Sequence, residues 1–480
     1  MQGEKQAQEE MFFYGSLDDL VPQDDPFRRL DTILDLSWLR RETSDLYSAT
    51  GRASIDPVVI AKLLLIAYVR GIVSERELMR QVQVNLSYRR FLHYRLSEAL
   101  PDHSSLTRSR QRLGEATIRK IFEYVLQLCI DAGLVGGALE SIDSTFVQAN
   151  ASLSSLQPRL VEAEAERFTE SLFLVNSTET KTEADQDDAP DQHDPPAAGG
   201  KPDRLNDRYV SKTDPDSGLY RKMPGKSPLG FLVHFAVDRG RQIITGVLAL
   251  GAQDRDAAQI VPLVDQVLSQ GIDVQAVAAD RGYSTAQVYH DLDERGIEAF
   301  IPLLRRGPEV QGLYGRDQFK YDPASDRYLC PNGAWLSREK RASDGPRYRA
   351  RPADCSGCPL KALCTSGKAR TLKLSRYEDA LAKARRRQET AAAKRAARQR
   401  KICSERMFAE AKANHGLARA HQRGLGNVHI QALLTATVLN LKRYLSAQTR
   451  AFPAAGALPG DKITCSSQIF PAPVLQISAH

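Results

Sequence analysis

Two strand-like segments each contain a single aspartate near their end, and a basic helical segment further along contains a glutamate. The first segment, 139–145, contains Asp143, and the second, 274–283, contains Asp280 directly after an apolar run. The helical segment contains Glu405. Carboxylates are good ligands for hard divalent cations, and three of them from distant segments can hold the metal pair that cuts and rejoins phosphodiesters. Taken alone, Asp143 is more typical of a turn, so its interpretation depends on the other two acids.

Asp280 has the most informative setting of the three acids. It precedes Arg281-Gly282-Tyr283 and follows a buried-type run, which is where open α/β sheets bind their ligands. Glu405 and Lys412 are seven residues apart, or two helical turns, so both point to one face of the helix. A carboxylate that can bind a metal and a basic side chain that can bind phosphate, on one face of a helix, suit a nuclease-like site. Glu410 is a rival third acid, but Glu405 is preferred because it keeps the seven-residue spacing to Lys412.

The chain has a net charge of +7, and its basic residues are clustered. Residues 366–412 contain fifteen Lys or Arg against five Asp or Glu. Such a run can follow a phosphate backbone, although a solvated helix face is the other interpretation. Candidate DNA contacts in the run are Lys401, Arg406 and Lys412. Since no apolar run reaches the roughly 18 residues of a membrane span and the start is acidic and polar, unlike a secretory signal, we expect a cytoplasmic, nucleoid-associated protein.

The segments that must position these residues begin with an all-α part. Residues 1–50 have an irregular pattern, with Asp24-Asp25-Pro26 as a breaker, and residues 51–132 have a helical pattern. Three arginines lie on the last short helix of this part: Arg108, Arg110 and Arg112. Short helices, tight turns and exposed arginines suit a helix-turn-helix-like DNA-binding domain. A helical dimerisation or packing domain fits the same periodicity equally well.

An α/β pattern follows over residues 133–304. Hairpin strands come first and then helices alternate with strands, which implies a mixed sheet with helices on its faces. Inside this part, the stretch of about 178–207 is rich in Asp, Glu, Pro, Thr and Gly and is expected to be disordered. Residues 305–375 form an insertion rich in turns and aromatics, residues 376–448 return to helices, and 449–480 form a loose tail.

Four of the seven cysteines cluster in the insertion: Cys330, Cys355, Cys358 and Cys364. Their spacing, with one close C-x₂-C pair, could give a tetrahedral Cys₄ zinc site. A structural zinc is preferred to free thiols, and an iron–sulfur cluster is a further alternative. Disulfides are less expected, because a reduced compartment keeps thiols free.

The order and number of these motifs resemble those of bacterial insertion-sequence transposases of the DDE class. The matching segments are 56–71, 74–78, 88–89, 101–104, 142–145, 230–238, 279–283, 405–412 and 440–443. The resemblance implies an α/β fold, with an RNase H-like mixed sheet and flanking helices. It also implies an all-α domain before this core and a Cys-rich, β-containing insertion that interrupts it.

The resemblance also implies roles for individual residues. Asp143, Asp280 and Glu405 would bind two Mg²⁺ ions, for which Mn²⁺ can substitute, and Lys412 would contact the DNA backbone near the cut. Related enzymes often have a Tyr and an Arg at the positions of Arg398 and Lys401. Because the Tyr is absent and Lys replaces the Arg, the hairpin-forming cleavage route linked to that signature is not implied.

The implied function is a transposase that binds the terminal inverted repeats of its element, cuts the ends and joins them to target DNA. Because two ends must be held together, we expect a homodimer or larger assembly on double-stranded DNA. Two alternatives stay open. One is a transposase-derived DNA-binding protein without catalytic activity, and the other is an RNase H-like nuclease that cleaves without joining.

Overall fold

The computed structural model describes eight stretches of the chain: 15–48, 50–51, 54–159, 205–220, 227–254, 256–304, 312–339 and 345–451. The predicted acidic stretch of about 178–207 falls almost entirely outside the described residues, and so does the tail beyond residue 451. One large hydrophobic core joins the N-terminal helices, the central sheet and the last helix. A smaller core lies within the Cys-rich insertion.

The N-terminal part is helical throughout its described residues. Its helices are α1 (Leu17–Leu20), α2 (Pro26–Ile33), α3 (Trp38–Glu42), α4 (Pro57–Arg70), α5 (Glu75–Val84), α6 (Leu86–Phe91) and α7 (His103–Asp131). Helix α7 is broken at Gly114, whose φ of 66° and ψ of 179° are not helical. The three predicted DNA-binding arginines therefore lie on the separate first half of α7.

The prediction of an irregular arm over residues 1–50 is wrong for its described part. The dipeptide Asp25-Pro26, interpreted as a breaker, begins α2. The Asp25 carboxylate accepts hydrogen bonds from the backbone N–H groups of Phe27 at 2.8 Å and Arg28 at 3.1 Å. Proline is favoured at the first position of a helix, because the N–H it lacks would have no partner there. Phe27 and Leu30 are then fully buried in the main core.

Local capping residues set the boundaries of the next two helices. Asp56 caps α4 by accepting from the N–H of Val58 at 2.9 Å, and Gly71 ends it with a φ of 65°. Ser74 caps α5 by accepting from the N–H of Glu77 at 3.3 Å. Within the described residues no single helix could cross a membrane; α4 and α5 meet the length and composition only as a pair, and they are bent by 97°.

The predicted mixed sheet with flanking helices is confirmed. Its strands are β1 (Glu140–Gln148), β4 (Gly218–Leu219), β5 (Leu229–Asp238), β6 (Ile244–Gly251), β7 (Ala276–Ala278) and β8 (Glu298–Phe300). Their order is β4-β5-β1-β7-β8, with β6 also paired to β5. Strands β1, β5 and β6 are antiparallel neighbours, whereas β7 and β8 run parallel to β1. Strand β1 is therefore central, with the hairpin on one side and the parallel strands on the other.

Helices cover the sheet and close the core. Between the strands lie α8 (Leu205–Arg208), α9 (Ile260–Ser269) and α10 (Ala286–Glu294), and after the insertion come α13 (Glu378–Gln388), α14 (Ala391–Asn414) and α15 (Leu425–Ala451). Helix α14 packs against β1, and α15 packs against β6 and α7. The Asn440 side chain fixes α15 to the sheet, since its amide bonds both the N–H and the carbonyl of Ile244 at 2.8 Å.

The Cys-rich insertion forms its own antiparallel sheet, as predicted. Its strands are β9 (Lys320–Asp322), β10 (Arg327–Leu329), β11 (Trp335–Arg338), β12 (Arg347–Ala350) and β13 (Thr371–Lys373), with two short helices, α11 (Pro352–Ser356) and α12 (Lys361–Cys364). A separate pair of short strands, β2 (Leu156–Pro158) and β3 (Tyr209–Ser211), flanks the undescribed segment.

Candidate catalytic site

Asp143 within β1 and Asp280 just after β7 lie at equivalent positions relative to the pairing of these two parallel strands. The ladder between β1 and β7 pairs Ser141 with Ala278, and each aspartate lies two residues beyond that pair. Successive side chains of a strand alternate between its faces, so Asp143 shares a face with Ser141. The fold therefore brings the first two predicted acids to adjacent positions at the carboxyl side of the parallel strands.

The turn after Asp280 is fixed by two hydrogen bonds. Its Oδ1 accepts from the N–H of Gly282 at 2.8 Å, which begins a 3₁₀ turn over Arg281–Tyr283. Tyr283 is buried, and its hydroxyl lies 2.8 Å from Nδ1 of the buried His234 on β5. The sequence after the aspartate thus anchors the turn to the hairpin side of the sheet.

Arg400 on α14 forms an ion pair with Asp143. Its Nη1 lies 2.5 Å from Asp143 Oδ2, and the two side chains are only 21% and 18% exposed. The other oxygen, Oδ1, accepts from the N–H of Ser144 at 2.9 Å. The sequence reasoning missed Arg400. A usable signal was present, because Arg400 continues the helical stripe of small and apolar residues that faces the sheet: Cys403, Met407 and Ala411.

Glu405 lies on the exposed flank of α14, next to the buried Ser404. Phe408, one turn further on, is buried and stacks on Phe235 of β5. Lys412 is half-buried, and burial lowers the pKa of its amine; none of the described side chains forms an ion pair or hydrogen bond with this amine. Glu405 and Lys412 share one flank of the helix, as their seven-residue spacing predicts.

The three predicted acids do not by themselves form a complete set of metal ligands. Carboxylates have the right chemistry for Mg²⁺, but across the described stretches no group of three or more His, Cys, Asp or Glu side chains is placed to hold a metal ion. Asp143 is paired with Arg400, and Glu405 faces solvent. The two aspartates fit a metal centre in kind and position. Glu405 faces solvent and does not complete the set of three ligands.

Glu410, the rival third acid, belongs to a different cluster. Its carboxylate lies 2.5 Å from Lys442 Nζ and 3.4 Å from Arg443 Nη2 on α15, and near the buried His415. Burial alone would raise the pKa of Glu410, but the hydrogen bond with His415 and the charges of Arg443 and Lys442 hold it well below its ordinary value. The ion pairs of Glu410 therefore hold α14 against α15, and its role is structural.

The predicted DNA-binding residues differ in their availability. Lys401 and Arg406 on α14 are exposed, and so are Arg108 and Arg112 on α7. Arg112 lies over the ring of Tyr47, 5.0 Å from its centroid. Arg110 is less available to a phosphate backbone, because it pairs with Glu75 at 2.9 Å, and Lys412 is half-buried but has no such pair within the described residues.

The four clustered cysteines are free thiols that approach one another beside the small sheet. Burial raises the pKa of the Cys364 thiol, and the neighbouring thiols of Cys355, Cys330 and Cys358 raise it further. The Cys330 sulfur also accepts from the N–H of Ala334 at 3.2 Å. These thiols converge, but they are among the described residues in which no closed metal group is found.

Comparison with known families finds two matching stretches of the chain. Residues 15–112 match a family described as "Transposase domain (DUF772)", and residues 329–445 match one described as "Transposase DDE domain". The second match includes the cysteine cluster, Glu405 and Lys412. Both descriptions are of transposase domains, and the two matches cover the N-terminal helices, most of the insertion and the last helices. No protein with curated annotation matches this chain.

Solved transposase structures are similar at low TM-scores. One is a piggyBac transposase synaptic complex with hairpin DNA, which is 12% identical over 93% of this chain and 78% of that chain, with a TM-score of 0.35. Two others, a Mos1 transposase paired-end complex with the left transposon end and a pre-cleavage Mos1 transpososome, are each 10% identical with TM-scores of 0.16. They cover 57% and 59% of this chain and 68% and 74% of theirs.

Proposed function

We propose that this protein is a DDE-class DNA transposase that binds the terminal inverted repeats of an insertion sequence, cuts the DNA at the element ends and joins them to target DNA in a metal-dependent reaction. The observation that carries the proposal is the equivalent placement of Asp143 and Asp280 after paired residues of neighbouring parallel strands. The helix that packs against β1 contains Glu405. Three carboxylates from separate elements are what a two-metal phosphodiester site requires.

In this proposal Asp143, Asp280 and Glu405 hold Mg²⁺, with Mn²⁺ as a substitute. When bound, such a metal pair activates the attacking oxygen and stabilises the leaving oxygen. Lys412 binds a phosphate near the cut as a compact positive charge. Its half-buried amine has no ion-pair or hydrogen-bond partner among the described side chains, which leaves it available for a phosphate.

The exposed basic residues of α14 and α7 supply contacts to double-stranded DNA. Lys401 and Arg406 lie on the same helix as the third acid, whereas Arg108 and Arg112 lie on the N-terminal helical domain. Contacts from both parts would hold the element end across the catalytic sheet. A homodimer or larger assembly on DNA then holds two ends, in the cytoplasm at the nucleoid.

We further propose that Cys330, Cys355, Cys358 and Cys364 bind one structural Zn²⁺. Their chemistry supports it, because four thiolates are a common ligand set for structural zinc. Their convergence at the edge of the insertion also supports it. The insertion has a small core of its own, and small cores commonly need a metal or another cross-link for stability.

The test is cleavage and strand transfer on a duplex with the element's own ends, in Mg²⁺ and in Mn²⁺, by the wild type and by Asp280→Ala. The expected result is nicked and joined products from the wild type and none from a variant that still binds the duplex. Binding without cleavage by both proteins would favour the DNA-binding alternative. Cleavage without joined products, even from a substrate with a free 3′-hydroxyl end, would favour the nuclease.

A further inference from the structure

The Arg400–Asp143 pair joins residues that are 257 positions apart in the chain. It connects the middle of the central strand β1 to the helix that contains the third predicted acid. Both side chains are largely shielded, at 21% and 18% exposed, so solvent and salt weaken their attraction less than they would on the open surface. The contact is therefore a defined feature of the fold.

The guanidinium contacts an oxygen that the proposed metal centre needs. Arg400 Nη1 lies 2.5 Å from Asp143 Oδ2, whereas the second oxygen accepts a backbone N–H from Ser144. A divalent cation and a guanidinium carry charges of the same sign, and they repel strongly at this separation in a partly shielded site. Arg400 and a metal ion therefore cannot occupy this oxygen together.

We infer that Arg400 is a positioning residue that holds Asp143 in the metal-free protein and must leave this carboxylate before a metal ion binds there. The inference rests on the proposed function. DNA supplies the alternative partner, because a phosphate can accept the two parallel hydrogen bonds of a guanidinium.

The pair makes the metal affinity of the DNA-free protein lower than the carboxylates alone would give. Replacing Arg400 with glutamine keeps a polar side chain of moderate length and removes the competing charge. Arg398 is a matched control, because it is exposed on the same helix and forms no contact with Asp143. Arg398→Gln removes the same amount of charge from α14 without touching the site.

The experiment is a titration of each DNA-free protein with Mn²⁺, followed by the paramagnetic resonance signal of the free ion. We expect Arg400→Gln to bind Mn²⁺ about tenfold more tightly than the wild type, or roughly 1.4 kcal/mol, and Arg398→Gln to equal the wild type. The gain should vanish when Asp143→Asn is added to Arg400→Gln. Thermal unfolding of each variant verifies that it is folded.

The outcomes separate the inference from the proposed function. Equal affinities of the wild type, Arg400→Gln and Arg398→Gln, with weaker binding by Asp143→Asn, would overturn the inference and leave the metal site intact. No Mn²⁺ binding by any of these proteins would overturn the metal site and the inference together.

A second measurement needs no variant of Arg400. Arginine-selective labelling with phenylglyoxal, read by peptide mass spectrometry, should modify Arg400 slowly in the metal-free wild type and faster once Mn²⁺ is present. The exposed Arg398 should be labelled at the same rate in both conditions. An unchanged rate at Arg400 in protein that binds Mn²⁺ would contradict the inference.

Discussion

The ring of Phe408 on α14 stacks on the ring of Phe235 on β5, with centroids 5.1 Å apart and planes inclined by 15°. Phe235 is the residue paired with Asp143 across the antiparallel ladder of β5 and β1. Phe408 lies one helical turn after Glu405 on the same helix. One aromatic contact therefore sets the position of the helix with the third acid relative to the strand with the first.

Phe408→Ala should reduce both stability and cleavage. Removing a buried aromatic side chain typically costs about 3–5 kcal/mol, and the helix loses the contact that positions Glu405. Chemical unfolding would measure the first effect, and single-turnover cleavage the second. Phe408→Leu keeps apolar volume and should retain more of both. Full cleavage by a destabilised Phe408→Ala would mean that the stack does not position the helix.

Glutamine substitutions should distinguish the two glutamates of α14. Glu405→Gln should lower cleavage by about 10³-fold or more, since metal stabilisation of the transition state is worth several kcal/mol, with an unchanged melting temperature. Glu410→Gln should lower the free energy of unfolding by about 3–5 kcal/mol, because it leaves Lys442 buried without its charge partner. The reverse pattern would make Glu410 the third acid.

Glu140 should make the stability of the protein fall as pH rises. Burial raises the pKa of Glu140 from 4.5 to about 8, and nearby Asp238 adds to the rise, although the Thr245 hydroxyl opposes it. Between these values the folded protein holds a proton that the unfolded chain has released. The free energy of unfolding therefore decreases from about pH 4.5 to 8.

Glu140→Gln should remove this decrease of the free energy of unfolding with pH, while it keeps an acceptor for the Thr245 hydroxyl. The variant should exceed the wild type in stability by about 2–4 kcal/mol at pH 8 and by little at pH 4.5. Denaturant unfolding across this pH range provides the measurement. Glu294→Gln, at an exposed position on α10, should leave the profile of the wild type unchanged. Parallel profiles for wild type and Glu140→Gln would contradict the prediction.

Lys412→Ala should weaken binding to duplex DNA and make it less sensitive to salt. Loss of one phosphate contact lowers the slope of log K against log[salt] by about one. Fluorescence anisotropy with a labelled end duplex at several salt concentrations measures both quantities. Lys383→Ala is a matched control, because that amine already pairs with Asp293 at 2.5 Å. Equal slopes for Lys412→Ala and the wild type would argue against a phosphate contact.

Protein prepared without chelator should contain about one zinc per chain. The double variant Cys355→Ser, Cys358→Ser should lose this zinc and unfold at a lower temperature, since metal binding contributes directly to the stability of such a small sheet. Elemental analysis and calorimetry are the measurements. Cys129→Ala, outside the cluster, should keep the metal. Metal-free wild type would exclude the zinc site.

Much of this protein follows from local sequence, because caps, turns and strand ends depend on residues that are close together in the chain. The cap at Asp56, the left-handed end at Gly71 and the serine cap at Ser74 depend only on residues a few positions away. The mixed sheet is confirmed, and so is the strand before Asp280, since periodicity and flanking turn residues determine them. Asp143 instead lies within β1, which continues to Gln148.

Tertiary structure decided the features that join distant segments. An Asp-Pro dipeptide is compatible with either the end or the start of a helix. At Asp25-Pro26, only the burial of the residues that follow shows that a helix starts there. Glu405 and Glu410 are both acids of one helical segment, yet only the packing of α14 on α15 shows that Glu410 pairs with Lys442 and Arg443. Arg400 gains a role only because α14 packs on β1. Local periodicity predicts which face of each element is buried, but the partner of a charged side chain depends on which elements meet, and packing alone determines that.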